Sequence, residues 1–163
     1  MQSKQELEKW YEEPDKWGYF SNEYDEMRLQ KIKFMLGWGK KRYDRILDIG
    51  CGEGFVTQHL PSDVIHGLDI SDNAMSRLPA NVKPVSAPEG KYDLVVSTGT
   101  LYSQYDHEAI YKLIMESASQ YVLIGGIADW LIEKDFGAEV QKMHFPYRQF
   151  TQKLSLYAVE TRP

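Results

Sequence analysis

The chain has 163 residues, 42% hydrophobic and 26% charged, a balance that suits one globular domain and leaves too little chain for a second core. Its 19 basic and 24 acidic side chains give a formal charge of −5, which argues against nucleic acid as a partner, because a phosphate-holding domain carries a basic surplus. One cysteine, Cys51, excludes an internal disulfide, no apolar run approaches the roughly 20 residues of a membrane span, and the polar N-terminus is unlike a secretory leader. The expectation is a cytoplasmic protein with no membrane partner.

Residues 1–43 read as a helical cap and residues 44–163 as the core of the same domain. Residues 5–13 suit a short helix stopped by Pro14. Asn22 suits the N-cap of a second, with Glu23, Asp25 and Glu26 in its first turn. Met27, Ile32, Met35 and Leu36 make its apolar stripe, which ends near Gly37 or Gly39. The basic residues Lys31, Lys33, Lys40, Lys41 and Arg42 are read as a solvated face. From Tyr43 the pattern changes to short apolar runs between turn residues. Strands are expected at 45–49, 63–70, 82–87, 92–98 and 121–125. Between them fall a short helix at 55–60, one capped by Ser71 or Asp72, and one at 106–119 with Ile110, Leu113, Ile114 and Ala118 on one face. A helix at 129–136 then precedes two strands with no helix between them, at 138–145 and 153–160. The alternation predicts an α/β fold of Rossmann type, a mainly parallel seven-stranded sheet ending in an antiparallel hairpin, with short or missing helices.

The chemistry centres on the run Asp48-Ile49-Gly50-Cys51-Gly52-Glu53-Gly54, between a strand and a helix. Glycine at 50, 52 and 54 allows a sharp turn and the close approach of a ligand. Asp69, at the end of the second strand, is placed to accept hydrogen bonds from two ribose hydroxyls. Dinucleotide sites space their glycines G-x-G-x-x-G around a pyrophosphate, whereas this loop reads G-x-G-x-G and is preceded by an acid. An acid repels a diphosphate and attracts the ammonium of a methionine group. The preferred ligand is therefore S-adenosylmethionine (SAM), with a nicotinamide-dependent oxidoreductase as the lesser alternative.

This loop resembles motif I of the class I SAM-dependent methyltransferases, and the resemblance covers residues 43–160. It implies that Asp48, Gly50, Cys51, Gly52, Gly54, Asp69, Ile70, Ala87 and Thr98 line the cofactor, with Ala87 at the adenine contact and Thr98 opening a loop beside the methionine part and the acceptor. Ser86, Ala87 and Pro88 lack the acid that many relatives carry there, which implies recognition of adenine by backbone groups. Residues 15–28 resemble the corresponding segment of nodulation-type N-methyltransferases and related sugar or small-molecule methyltransferases. In that group the segment folds over the cofactor, which implies that Trp17 caps the site and Arg28 pairs with the methionine carboxylate, as a guanidinium fork would. Several of those relatives carry glutamate where this chain has Gly99.

Methyl transfer requires alignment of the acceptor and, for an alcohol, a general base. The candidates are Tyr102 and His107 after the fourth strand and Asp129 after the fifth, with helix-start and N-cap roles as the competing readings of His107 and Asp129. No paired His or Cys spacing suggests a metal. Cys51 is read as a small loop residue and not a nucleophile. The acceptor is expected to be a small hydroxyl- or amine-bearing molecule, with a carbohydrate preferred. The other reading is a non-catalytic SAM-binding module of a larger glycan-assembly system.

Overall fold

The structure is a computed structural model that describes residues 1–160. Its strands are β1 (Ile46–Ile49), β2 (Ile65–Leu68), β3 (Val82–Pro84), β4 (Tyr92–Thr98), β5 (Ala118–Ile127), β6 (Ala138–Tyr147) and β7 (Phe150–Ala158). All seven join one sheet in the order β3-β2-β1-β4-β5-β7-β6. The strands β1 to β5 run parallel, β7 lies antiparallel to β5, and β6 closes the edge antiparallel to β7. This is the Rossmann-like sheet with a terminal hairpin that the alternation of runs predicts. All four residues of β1 are buried, as in a parallel strand covered on both faces.

The helices are α1 (Lys4–Trp10), α2 (Glu23–Met35), α3 (Asp72–Met75) and α4 (His107–Ser117). One apolar cluster joins Leu29, Ile32 and Met35 of α2 to Ile46, Leu94 and Leu154 of the sheet. A second joins Ile114 of α4 to Leu47, Val95 and Val122. Neighbouring residues of a strand point to opposite faces, so Ile46 with Leu94 and Leu47 with Val95 place α2 and α4 on opposite sides of the sheet. Between β1 and β4 the order of the strands reverses, which opens a crevice at their carboxyl ends.

Local chemistry explains the helix starts. Asn22 and Ser71 cap α2 and α3 as expected, through Tyr24 N–H and Ala74 N–H. Ser3 and Glu6 form a reciprocal capping box, so α1 begins earlier than expected and ends at Trp10, well before Pro14. Other expectations fail for identifiable reasons. Met27 is exposed, and the buried face of α2 is Asp25, Arg28, Leu29, Ile32 and Met35. A polar pair at the start of that face conceals its periodicity. At 55–60 only a 3-10 turn forms, Thr57–His59. At 129–136 there is no α-helix but a 3-10 turn, Ala128–Trp130, followed by chain without regular structure. There the Ile132 amide donates to Leu101 O (2.9 Å) and Phe136 is buried in the second cluster, so the segment straps across the loop after β4.

Candidate functional site

The loop after β1 folds back on β2, with the Gly50 and Cys51 amides donating to Leu68 O at 2.7 and 3.2 Å. Gly50, Gly52 and Gly54 all have left-handed φ, at 77°, 55° and 85°. The space around them is as restrictive as their dihedrals. A Cβ on Gly50 would collide with Thr100 Cγ2, and one on Gly54 would stand 2.8 Å from Pro79 Cδ. Cys51 packs with its sulfur 3.7 Å from Met75 Sδ, and burial pushes its thiol well above the ordinary range, so it carries no thiolate.

Asp48 lies beneath this loop, 2% exposed. Its Oδ2 accepts from the Thr57 hydroxyl (2.7 Å), while Oδ1 is buried with no hydrogen-bond partner among the described residues. Burial pushes its carboxyl up to about 7; Thr57 and Arg28 pull it down, and Asp69 adds to the rise. An acid so placed seeks a cation or a donor. Asp69 stands at the end of β2, with Oδ2 accepting from Gly52 N and Oδ1 from Ser71 N, both at 2.9 Å. Each of these oxygens keeps acceptor capacity for a hydroxyl. Burial also raises its carboxyl above the usual range, against those two amides. Ile70 beside it is 48% exposed, and Ala87 is exposed in the loop after β3.

Residues 1–20 lie across this end of the sheet. The Tyr11 hydroxyl stands 3.0 Å from where a Gly52 Cβ would be, and it accepts from Trp17 Nε1 (2.9 Å). Trp17 thus belongs to the cap, half-buried, its ring 4.8 Å from that of Trp10. Glu53 and Arg77 pin residues 11–15 of the cap. Glu53 of the loop takes the Asp15 amide (2.9 Å), and Arg77 spans Tyr11 O (2.6 Å), Glu12 O (3.2 Å) and Glu53 (3.4 Å).

Arg28 is 6% exposed, its Nε donating to Asp25 Oδ1 (3.1 Å) and its guanidinium lying over the rings of Tyr19 and Phe55 at 5.0 and 5.8 Å. Asp25 is fully buried and also accepts from Tyr147 Oη (2.7 Å), with Arg148 at 3.5 Å. Among the described residues the two terminal amino groups of Arg28 make no hydrogen bond, so its fork is unspent. The grouping of Asp25 with Tyr147 and Arg148 has no signal in the sequence, because the tip of the hairpin meets α2 across 122 residues.

The other half of the crevice is aromatic. Thr98 ends β4 half-buried, and Gly99 N donates to Gly125 O (2.8 Å). Tyr102 covers Gly126, where a Cβ would stand 2.6 Å from its hydroxyl, and that hydroxyl accepts from Ile127 N (2.8 Å). Burial pushes the Tyr102 phenol up to about 12, so at neutral pH it is a donor and not a base. Trp130, 46% exposed, packs on Phe150 (4.9 Å) and edge-on to Tyr102 (5.8 Å). Asp129 is exposed, caps nothing, and has no ion-pair partner among the described residues. His107 opens α4 behind the N-cap Asp106, with Nδ1 buried beside Glu108 (3.6 Å) and without a hydrogen bond among the described residues. Among the described residues no three His, Cys, Asp or Glu side chains gather as a metal site, and no helix is long and apolar enough to cross a membrane.

A family model described as a methyltransferase domain matches residues 19–157. A comparison with curated protein sequences finds no match. Among solved structures, the N-methyltransferase NodS of Bradyrhizobium japonicum WM9, in complex with S-adenosyl-L-homocysteine (SAH), is similar at a TM-score of 0.74 and 16% identity, over 95% of this chain and 97% of that one. Magnesium protoporphyrin IX methyltransferase (ChlM) of Synechocystis PCC 6803 with bound SAM is similar at 0.71 and 13%, over 98% of each chain. A putative methyltransferase of Pseudomonas syringae is similar at 0.61 and 19%, over 82% of this chain and 97% of that one. At such identities the likeness is one of fold.

Proposed function

The chain belongs to the methyltransferase-domain family, and from that premise we propose that it transfers a methyl group from SAM to a hydroxyl or amine of a small molecule, with a carbohydrate as the preferred acceptor. The observation that carries the cofactor assignment is Asp48, a buried acid with an orphaned oxygen under a glycine loop. An ammonium donor satisfies that oxygen, whereas a diphosphate would be repelled by it. The residues fit the cofactor in other respects too. Asp69 offers acceptors for ribose hydroxyls, Ile70 and Ala87 an open apolar rim for adenine, and Arg28 an unspent fork for a carboxylate. Tyr11 must share the space above Gly52 or withdraw from it, which makes the cap part of the binding step.

When bound, the cofactor supplies a methyl group made electrophilic by its sulfonium. The residues of this chain bind, orient and exclude water. Tyr102, fixed through Ile127 N and kept protonated, would offer its hydroxyl to an acceptor as a donor and not as a base. Asp129 takes the proton that a hydroxyl acceptor must lose, since it is exposed and unpaired next to the acceptor wall. His107 is the weaker candidate, because its Nδ1 is buried. The preference for a carbohydrate is supported by Asp129 beside the exposed face of Trp130, a carboxylate for hydroxyls next to a ring for a sugar's apolar face.

The test is titration calorimetry with SAH and NAD, followed by incubation with methyl-labelled SAM and a panel of amino sugars, oligosaccharides, amines and catechols. Binding of SAH and labelling of a sugar support the reading. Binding of NAD alone overturns the cofactor assignment, labelling confined to other acceptors overturns the carbohydrate preference, and SAH binding without labelling of any acceptor favours the non-catalytic module.

A further inference from the structure

The inner face of α1 carries buried polar atoms that find no partner among the described residues. Glu8 is fastened at two points to the turn that follows Asp69. Its Oε2 accepts from Asn73 N (3.3 Å), and its backbone carbonyl accepts from Asn73 Nδ2 (3.1 Å). Among the described residues its other oxygen, Oε1, is buried with no donor, and the indole N–H of Trp10, on the same helix, is buried with no acceptor. Burying an unpaired carboxylate oxygen is costly, more so than leaving a neutral group unpaired.

The cost is increased by what lies next to it. Asp69 Oδ1 accepts from Ser71 N, two residues before Asn73, so the two carboxylates share one short turn. Glu8 is one of the charges that raise the Asp69 carboxyl, after burial. Leu7 of α1 and Tyr11 at its C-cap pack on Ala74 of α3, and Lys4 pairs with Asp72 (3.3 Å), so the helix is seated there and not merely nearby. The cap therefore brings a second acid to the edge of the ribose site and buries one of its oxygens without a donor.

We propose that Glu8 is a ribose-binding residue, accepting a hydrogen bond from one ribose hydroxyl of the cofactor while Asp69 accepts from the other. This rests on the SAM reading above. A vicinal diol offers one donor to each acid and removes the orphan on Glu8. It also makes the closed cap a part of the binding site, so that recognition of ribose and closure of α1 occur together.

The experiment is titration calorimetry on the full chain with SAH and its 2′-deoxy and 3′-deoxy counterparts, for the wild type, Glu8→Gln and Glu8→Asp. Loss of a charge-assisted hydrogen bond predicts that Glu8→Gln weakens SAH binding about tenfold or more. For one of the two deoxy compounds the same substitution should change affinity by less than about twofold, because the lost partner is already missing. Glu8→Asp, which keeps the charge but withdraws it, should lose the same discrimination and serves if Glu8→Gln does not fold. A merely structural role would weaken SAH and both deoxy compounds alike, and that result, or no loss at all, overturns the proposal. A wild type that binds SAH with unaltered affinity for both deoxy compounds overturns it too and leaves the SAM reading standing. A wild type that binds none of the three overturns both.

Discussion

The two halves of the crevice are built on different physical terms. At the ends of β1 and β2, the space is so tight that glycines are required, and two acids are held there, Asp48 almost wholly buried and Asp69 half-buried. At the ends of β4 and β5 the wall is aromatic, Trp130 and Asp129 face solvent, and a Cβ added at the nearby Gly99 would meet nothing closer than 4.0 Å. A site of the first kind is fixed by sterics and charge and suits a single ligand. One of the second kind is a surface on which acceptors can vary, which is why the cofactor is legible here and the acceptor much less so.

Substitutions that act on one half and spare the other test this contrast. The largest effect is expected from Asp129→Asn, which should lower the turnover of a hydroxyl acceptor by about 10²-fold or more while leaving the affinity for SAH unchanged. Parallel rate and calorimetric measurements check it; a fall in SAH affinity would mean that the halves are not separate. Next comes Gly50→Ala. It adds a left-handed alanine and a collision with Thr100, for a loss of about 3 kcal/mol read from denaturant melts. Gly99→Ala has a similar φ of 70° but open space, so the dihedral alone operates and the cost should be smaller, about 1 kcal/mol. Equal losses at the two glycines would show that the crowding at Gly50 does not matter.

The same contrast explains what the sequence reveals. Periodicity and turn residues disclose the succession of strands along the chain, the hairpin and the glycine loop, because a parallel strand such as Ile46–Ile49 needs a continuous apolar run. The acids at 48 and 69 are legible from their places at strand ends. The pairing of Asp25 with Arg28 is not, since both sit at the buried face of α2 and remove the apolar signal that would assign that face; Met27 is taken for a core residue as a result. Glu8 and Tyr11 act through contacts with residues 65 and 41 positions away, which no local pattern encodes. The one local cue is the Ser3–Glu6 capping box, which marks where α1 starts and so which of its residues face inward. The segment at 129–136 misleads because its apolar residues serve a strap and not a helix face.

The central claim is that Asp48 under the glycine loop receives the ammonium of the cofactor. Burial raises its carboxyl to about 7, above its value in the unfolded chain. Its contribution to folding stability is therefore whole below the unfolded value and is lost as pH rises through 7. Binding has the opposite sense, because an ammonium favours the ionised form and ligation releases the proton. Calorimetric titration of SAH at pH 6 and pH 8 tests this directly. The account predicts about tenfold tighter binding to the wild type at pH 8, following the ionised fraction of a group near 7, and no such gain in Asp48→Asn. Affinity that is independent of pH in the wild type, or unchanged by Asp48→Asn, would contradict it.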